Sequence, residues 1–292
     1  MKGQLVALAT GLVMLPAVFW PLERLFPARR GQRWLRPRLL TDLAFMAGQY
    51  LVFSAVALFT LQHVARALDH TGLGALRSTV AALPFAAQAA LAVLLGDVSV
   101  YWFHVACHRV PWLWRFHAVH HSARHLDWLA AHREHPVDGI LTQLAINLPA
   151  MALGVDLTLL SWLVALRGVW AIFIHANVRL PLGPLRVLLG APELHHWHHL
   201  ATRDTRHNFA NLAPWTDLLF GTWHLPPEGD ETWALGVADE PERGYLAHLL
   251  APFIVSTSRR GAAGAAATPL RSARSPRRAC PRPRRRPSRR LR

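Results

Sequence analysis

Cysteine is scarce in this 292-residue chain, which holds only Cys107 and Cys280. One lies in a histidine-rich stretch and the other in an arginine-rich tail. Two thiols so placed exclude a disulfide framework and read as free cysteines in a reducing compartment. Charge is scarce too: 17% of residues are charged against 52% hydrophobic, and the mean hydropathy is positive. That balance excludes an ordinary soluble surface and points to a membrane. Acidic residues are missing altogether from 258–292, which carry 13 arginines. The other 257 residues hold 19 basic and 17 acidic side chains, so the formal net charge of +15 is a property of the tail. The tail has almost no large apolar residue and no interleaved aromatics. It reads as a disordered segment held loosely at anionic lipid headgroups, and nucleic-acid binding is disfavoured.

Long hydrophobic runs make up much of the rest. Residues 4–20 form the first. Lys2 precedes it, but no small-residue cleavage site follows and Glu23-Arg24 comes next, so it reads as a retained helix. Residues 39–62 form a second run, interrupted only by Asp42, and 79–103 a third, containing Pro84. Residues 140–176 are too long for one span and carry Asp156 near the middle, which predicts a helical hairpin turning around Gly154–Asp156. The expected fold is therefore all-α, an integral membrane bundle of about four to five membrane helices over residues 1–257, followed by the tail 258–292. Arg24, Arg29, Arg30, Arg33, Arg36 and Arg38 place the segment 21–38 in the cytosol, while 63–78, with Arg66, Arg77 and Asp69, falls outside. Followed from there, the helices deliver His104 and His175 to the cytosolic face of an inner or plasma membrane.

The eighteen histidines are grouped. His104 and His108 form HxxxH; His117, His120 and His121 form HxxHH; His195, His198 and His199 form a second HxxHH. On a helix, residues four apart lie about 40° from each other and residues three apart about 60° the other way. HxxxH is thus expected to present two imidazoles on one helix face and HxxHH three, a pattern suited to ligating one metal or two neighbouring ones. Eight histidines exceed the needs of one tetrahedral ion, so two ions are expected. The clusters lack the glutamates of soluble di-iron bundles. Haem held by two histidines needs single facing residues and no HxxHH.

From about Leu94 to Thr222 the chain resembles the fatty acid hydroxylase/sterol desaturase superfamily of membrane di-iron oxygenases. The resemblance is carried by Gly96-Asp-Val-Ser-Val-Tyr-Trp-Phe-His104-xxx-His108-Arg109 and by Trp114-Arg-Phe-His117-Ala-Val-His120-His121-Ser122. His135-Pro136, His175-Ala-Asn177, His195-xx-His198-His199, Asn208-Phe and Asp217-Leu-Leu-Phe-Gly-Thr222 complete it. It departs from the family's usual pattern at Thr216, where a Trp commonly precedes the Asp and Trp215 stands one place earlier, and at Ala210, where Gly is common.

The resemblance implies that His104, His108, His117, His120, His121, His195, His198 and His199 are metal ligands, with His135 and His175 as further ligands. Asp97 and Asp217 are candidates to accept the free N–H of a ligand imidazole and fix its tautomer; His196, Asn177 and Asn208 are supporting candidates. His63, His70, His125, His224 and His248 read as surface residues. The implied chemistry is O2 activation at two Fe ions and attack on an unactivated C–H bond, with O2 as co-substrate. The implied substrate is a lipid in the bilayer: fatty acyl, sterol or a related isoprenoid. No cytochrome or flavin segment is visible, so electrons are expected from a separate donor protein of reductase, ferredoxin or cytochrome type. Trp102, Trp112, Trp114, Trp128 and Trp197 either wall a lipid channel or anchor the interface. The alternatives are a zinc-dependent membrane hydrolase using Glu134 or Glu193 as base, and a non-enzymatic metal carrier.

Overall fold

The computed structural model describes residues 2–201, 206–227, 231–238 and 240–254; the arginine-rich tail lies outside the described residues. Among these the chain is helical, with two isolated β-bridges and no sheet. Four stretches are long and apolar enough to cross a membrane: α1 (Lys2–Leu25), α2 (Leu39–Gly48) continued into α3 (Ser54–Asp69), α5 (Phe85–Arg109) and α8 (Leu157–His175). Their outward faces show why a bilayer is needed. Val6 and Val13 on α1, Leu58 and Phe59 on α3, and Trp162 and Val169 on α8 are all exposed, a density of apolar surface that water does not tolerate. The protein is an integral membrane helical bundle.

The helix limits follow from local chemistry. The third apolar run is not continuous. Pro84 has no N–H to donate and restricts Leu83, so the chain breaks there, leaving α4 (Gly74–Ala81) on one side and starting α5 on the other. The hairpin is present as α7 (Pro136–Ala152) and α8. Gly154 takes φ +85° at its turn, where a Cβ would sit 2.8 Å from the Arg77 backbone. Asp156 then caps α8, accepting the Leu159 N–H at 2.9 Å. Arg77 donates to the Met151 carbonyl, so the 63–78 segment and the hairpin turn share one end of the bundle.

At the opposite end α5 packs along α7, and α6 (Pro111–His121) follows α5 directly. Short helices α9 (Pro192–His198), α10 (Trp215–Phe220) and α11 (Tyr245–Leu250) close over this end. The 21–38 segment is here as well: Glu23 accepts the N–H groups of Trp128 and Asn177, and Arg29 N–H donates to the Asn177 side chain. Beneath it runs a buried chain of charge. Asp42, completely buried in the second apolar run, pairs with Arg36 at 2.7 Å and Arg133 at 2.6 Å, and Arg36 also holds Asp127. The charge that interrupts that run is thus fully paired. Between α2 and α3 one π-helical turn, Gln49–Phe53, brings the Gln49 side chain to His132 Nδ1 at 2.7 Å.

A candidate metal centre of two histidine groups

Pro111 opens α6 and Pro192 opens α9, each at the first helical position where its missing N–H costs nothing. Each short helix therefore carries its HxxHH motif in its last turn, facing the end of α5 and the end of α8. Nine histidines converge there as two groups, His104, His108, His117, His121 and His198 in one and His120, His175, His195 and His199 in the other, with the potential ligand atoms of each group within 4.8 Å of one another. The motifs interleave. In each HxxHH the residues four apart, His117 with His121 and His195 with His199, enter one group, and the middle histidine, His120 or His198, enters the other. Three imidazoles do not share one face; adjacent residues are about 100° apart on a helix. His121 and His199 stack where the groups meet, ring centroids 4.3 Å apart.

The hydrogen bonds fix which nitrogen points inward. The Nδ1–H of His104 donates to the Phe209 carbonyl at 2.8 Å, that of His198 to His207 at 2.7 Å, that of His120 to Arg133 at 3.2 Å and that of His175 to Ala171 at 2.6 Å. A carbonyl only accepts, so each of these rings bears its proton on Nδ1 and turns a bare Nε2 lone pair inward. His120 Nε2 and His175 Nε2 are nonetheless 3.1 Å apart. Two lone pairs facing at that distance form no hydrogen bond; a cation between them is what makes the contact favourable. His175 to His195 at 3.0 Å and His195 to His199 at 3.0 Å continue the set. Metal–nitrogen bonds of about 2.0–2.1 Å put neighbouring ligand atoms roughly 3 Å apart, so the donor set and its spacing fit a bound transition metal. Burial pushes His120, His121, His195 and His199 well below the usual imidazole value and His198 down to about 3, which keeps these rings neutral, as ligation requires.

The supporting residues differ in part from those expected. His175 joins the second group. His135 joins neither, because both its nitrogens are used: Nδ1 caps α7 by accepting the Val137 N–H, and Nε2 faces the Leu249 carbonyl at 3.2 Å. Asp97 holds no imidazole. It forms a buried ion pair with Arg167 at 2.7 Å and accepts the Trp215 indole N–H, which gives the displaced Trp215 a partner. Asp217 acts through the backbone: it accepts the N–H groups of Phe209 and Ala210 and the Thr222 hydroxyl, setting the loop whose Phe209 carbonyl takes His104. Asn208 adopts φ +58° and stitches that loop to Leu194, just before His195, and to His224; its amide is spent on backbone groups. Asn177 ties the chain after His175 to Arg29. His196 lies outside both groups and faces Glu231 at 2.8 Å.

The carboxylate that does hold a ligand ring is Asp138, whose Oδ2 accepts the His117 Nδ1–H at 2.9 Å. Buried Cys107 lies 3.8 Å from the same carboxylate. The one available sequence signal was an acid in the first turn of a helix opened by His135-Pro136. Among the presumed surface histidines, His63 and His70 are exposed and His125 and His224 half-buried, but His248 is buried against Ser122 and Phe45. Buried His132 lies beside Tyr50, the two rings tilted with centroids 6.0 Å apart. Of the tryptophans, Trp114 lies against His108 and His121, Trp197 stacks on His224, Trp128 is half-buried, and Trp102 and Trp112 are exposed. Glu134 and Glu193 belong to neither group; Glu193 lies 3.9 Å from Arg186, and burial next to Asp138 pushes Glu134 up to about 8.

A sequence model of the fatty acid hydroxylase family matches residues 89–222, which include all nine histidines. The chain is 34% identical over 173 residues to ornithine lipid hydroxylase OlsE of Rhizobium tropici, covering 58% of this chain and 51% of that protein. It is 29% identical to a Delta(7)-sterol-C5(6)-desaturase of Nicotiana tabacum, over 52% of this chain and 55% of the other. It is also 28% identical to an alkylglycerol monooxygenase of Danio rerio, over 48% and 31%. The chain thus spans about half the length, or less, of these relatives. No solved structure matches it. The segment 89–222, which carries both histidine groups, is thus the part of the chain that matches the fatty acid hydroxylase family, with sterol desaturases among its relatives.

Proposed function

We propose that this protein is a membrane-bound non-haem di-iron oxidoreductase that hydroxylates or desaturates a lipid with O2 and electrons from a separate donor protein. The observation that carries the reading is the pair of histidine groups whose inward nitrogens face one another as lone pairs. His104, His108, His117, His121 and His198 would hold one ion; His120, His175, His195 and His199 would hold the other. Bound iron would supply O2 activation and the attack on an unactivated C–H bond. The chain's own residues hold the site in shape. Four backbone carbonyls and Asp138 fix ring tautomers and orientations before any ion arrives. Trp114 and Phe209 pack against the rings and keep water from them.

The relatives named for lipid substrates support a lipid as the molecule oxidised, and the apolar exterior supports its delivery from the bilayer. The site is assigned to the cytosolic side. The arginine bias of 21–38 supports a cytosolic position for that segment, and contacts of Glu23 and Arg29 hold it at the histidine end. The zinc hydrolase alternative is less well supported, since nine clustered histidines exceed the ligands that one zinc ion takes.

Full-length protein purified in mild detergent should carry two Fe per chain and consume O2 when reduced, and His120→Ala should remove metal and turnover together. One Zn per chain with no O2 uptake would sink the assignment. Comparative lipid profiling of cells with and without the gene would name the substrate.

A further inference from the structure

The protein has a second polar concavity that the metal centre does not use. A pocket of 410 Å³ lies where α1 ends and the chain turns through Pro27–Leu35, with Asn177 on its wall. Three arginines line it: Arg24, Arg29 and Arg33. The single carboxylate among the lining residues, Glu23, already accepts two backbone N–H groups. Arg29 is anchored, donating to the Trp233 carbonyl at 2.7 Å and lying 3.7 Å from Glu231. Arg24 and Arg33 are exposed, and among the described residues neither has a carboxylate within ion-pair range; Arg24 only overlies the Trp20 ring at 5.8 Å. Large apolar side chains rim the same place. Leu25, Trp34 and Leu35 are each more than half exposed. Guanidinium groups beside exposed Trp and Leu at the end of a spanning helix mark the level of lipid headgroups.

We propose that this pocket binds the anionic headgroup of a membrane lipid, with its phosphate or carboxylate between Arg24 and Arg33 and its glycerol end against Trp34. The guanidinium fork suits such oxyanions, and the apolar rim separates a lipid ligand from a soluble one. The proposal does not rest on the oxygenase reading.

The test uses the full chain in neutral detergent, with native mass spectrometry to count retained dioleoyl phosphatidylglycerol against dioleoyl phosphatidylcholine. Wild type should hold phosphatidylglycerol in preference. R24Q/R33Q should reduce that preference about tenfold or more, and R24K/R33K, which keeps the charge but not the fork, should lie between the two. The tail arginines are unchanged in both variants, so the difference belongs to the pocket. An undiminished preference in R24Q/R33Q would overturn the assignment. Millimolar free glycerol 1-phosphate should fail to displace the lipid; displacement would make this a soluble-phosphate site and overturn it equally. Metal content, measured on the same samples, reports separately on the two-ion centre.

Discussion

Replacing Asp138 with Asn tests the metal centre at its most specific point. The substitution keeps shape and leaves an oxygen to accept the His117 Nδ1–H, now 2.9 Å from the carboxylate. It removes the negative charge that makes His117 a stronger donor through its other nitrogen. Carboxylates so placed change metal affinity by about 10–100-fold, roughly 1.4–2.7 kcal/mol. The contact is buried, so solvent screens little of that effect. Of the two histidine groups His117 belongs to the five-histidine one, and the further buried cluster that Asp138 forms with His117 and Cys107 includes no member of the four-histidine group. Full-length Asp138→Asn should therefore lose one ion at a chelator concentration that leaves two in wild type, retaining about one per chain. Graded chelator challenge followed by elemental analysis gives the two midpoints. If both midpoints move together, or neither moves, the assignment of Asp138 to one ion is refuted. Asp97→Asn and Asp217→Asn are the informative controls. They should lower thermal stability, through the Arg167 pair and the 208–222 loop, without this selective loss.

Further outcomes are expected at other residues. His175→Ala should empty the four-histidine group, whereas His135→Ala should keep both ions and cost about 1 kcal/mol of stability through loss of the α7 cap, read by thermal unfolding in detergent. Asp42→Asn should destabilise by roughly 3–5 kcal/mol, because it strands Arg133 in a buried setting and leaves Arg36 with Asp127 as its one carboxylate; an unchanged melting temperature would show that the network is not needed. Burial lowers His248 to about 4 against an ordinary value near 6.5, so the unfolded chain takes up its proton first as pH falls. Its stabilising contribution is complete above about 6.5 and is lost between there and 4. The melting temperature of His248→Gln relative to wild type should be nearly constant above pH 7 and rise as the pH falls from about 6.5 to 5; a constant difference throughout would refute the linkage.

Much of this was legible in the sequence because apolar runs and helix-period histidines are local signals. The hairpin at Gly154–Asp156 and the first apolar helix needed only length and turn chemistry. The division of the histidines did not follow, because the middle residue of HxxHH is claimed by whichever group the neighbouring helix completes. Asp97 and Asp217 were reasonable guesses for the imidazole acceptor, since both lie within the matching segment. Nothing in the chain order shows that Arg167 and Trp215 take the first and a loop backbone the second. Asp138 was hidden for the converse reason: its ring partner is 21 residues away on another helix. The break at Pro84 was readable, and a hydropathy window simply runs across it.

The inward lone pairs have a consequence for the life of the chain in a cell. A fold that brings the nitrogens of nine histidines together leaves several of them without a partner wherever the ion is missing. The rings sit largely on α6 and α9, short helices of 11 and 7 residues at one end of the bundle, which a bound ion would tie to α5 and α8. Newly made chains waiting for metal would present that end loosened to proteases, while loaded chains would not. The abundance of the protein should then follow the metal supply even at constant synthesis, so that scarcity removes the enzyme itself and not only its activity.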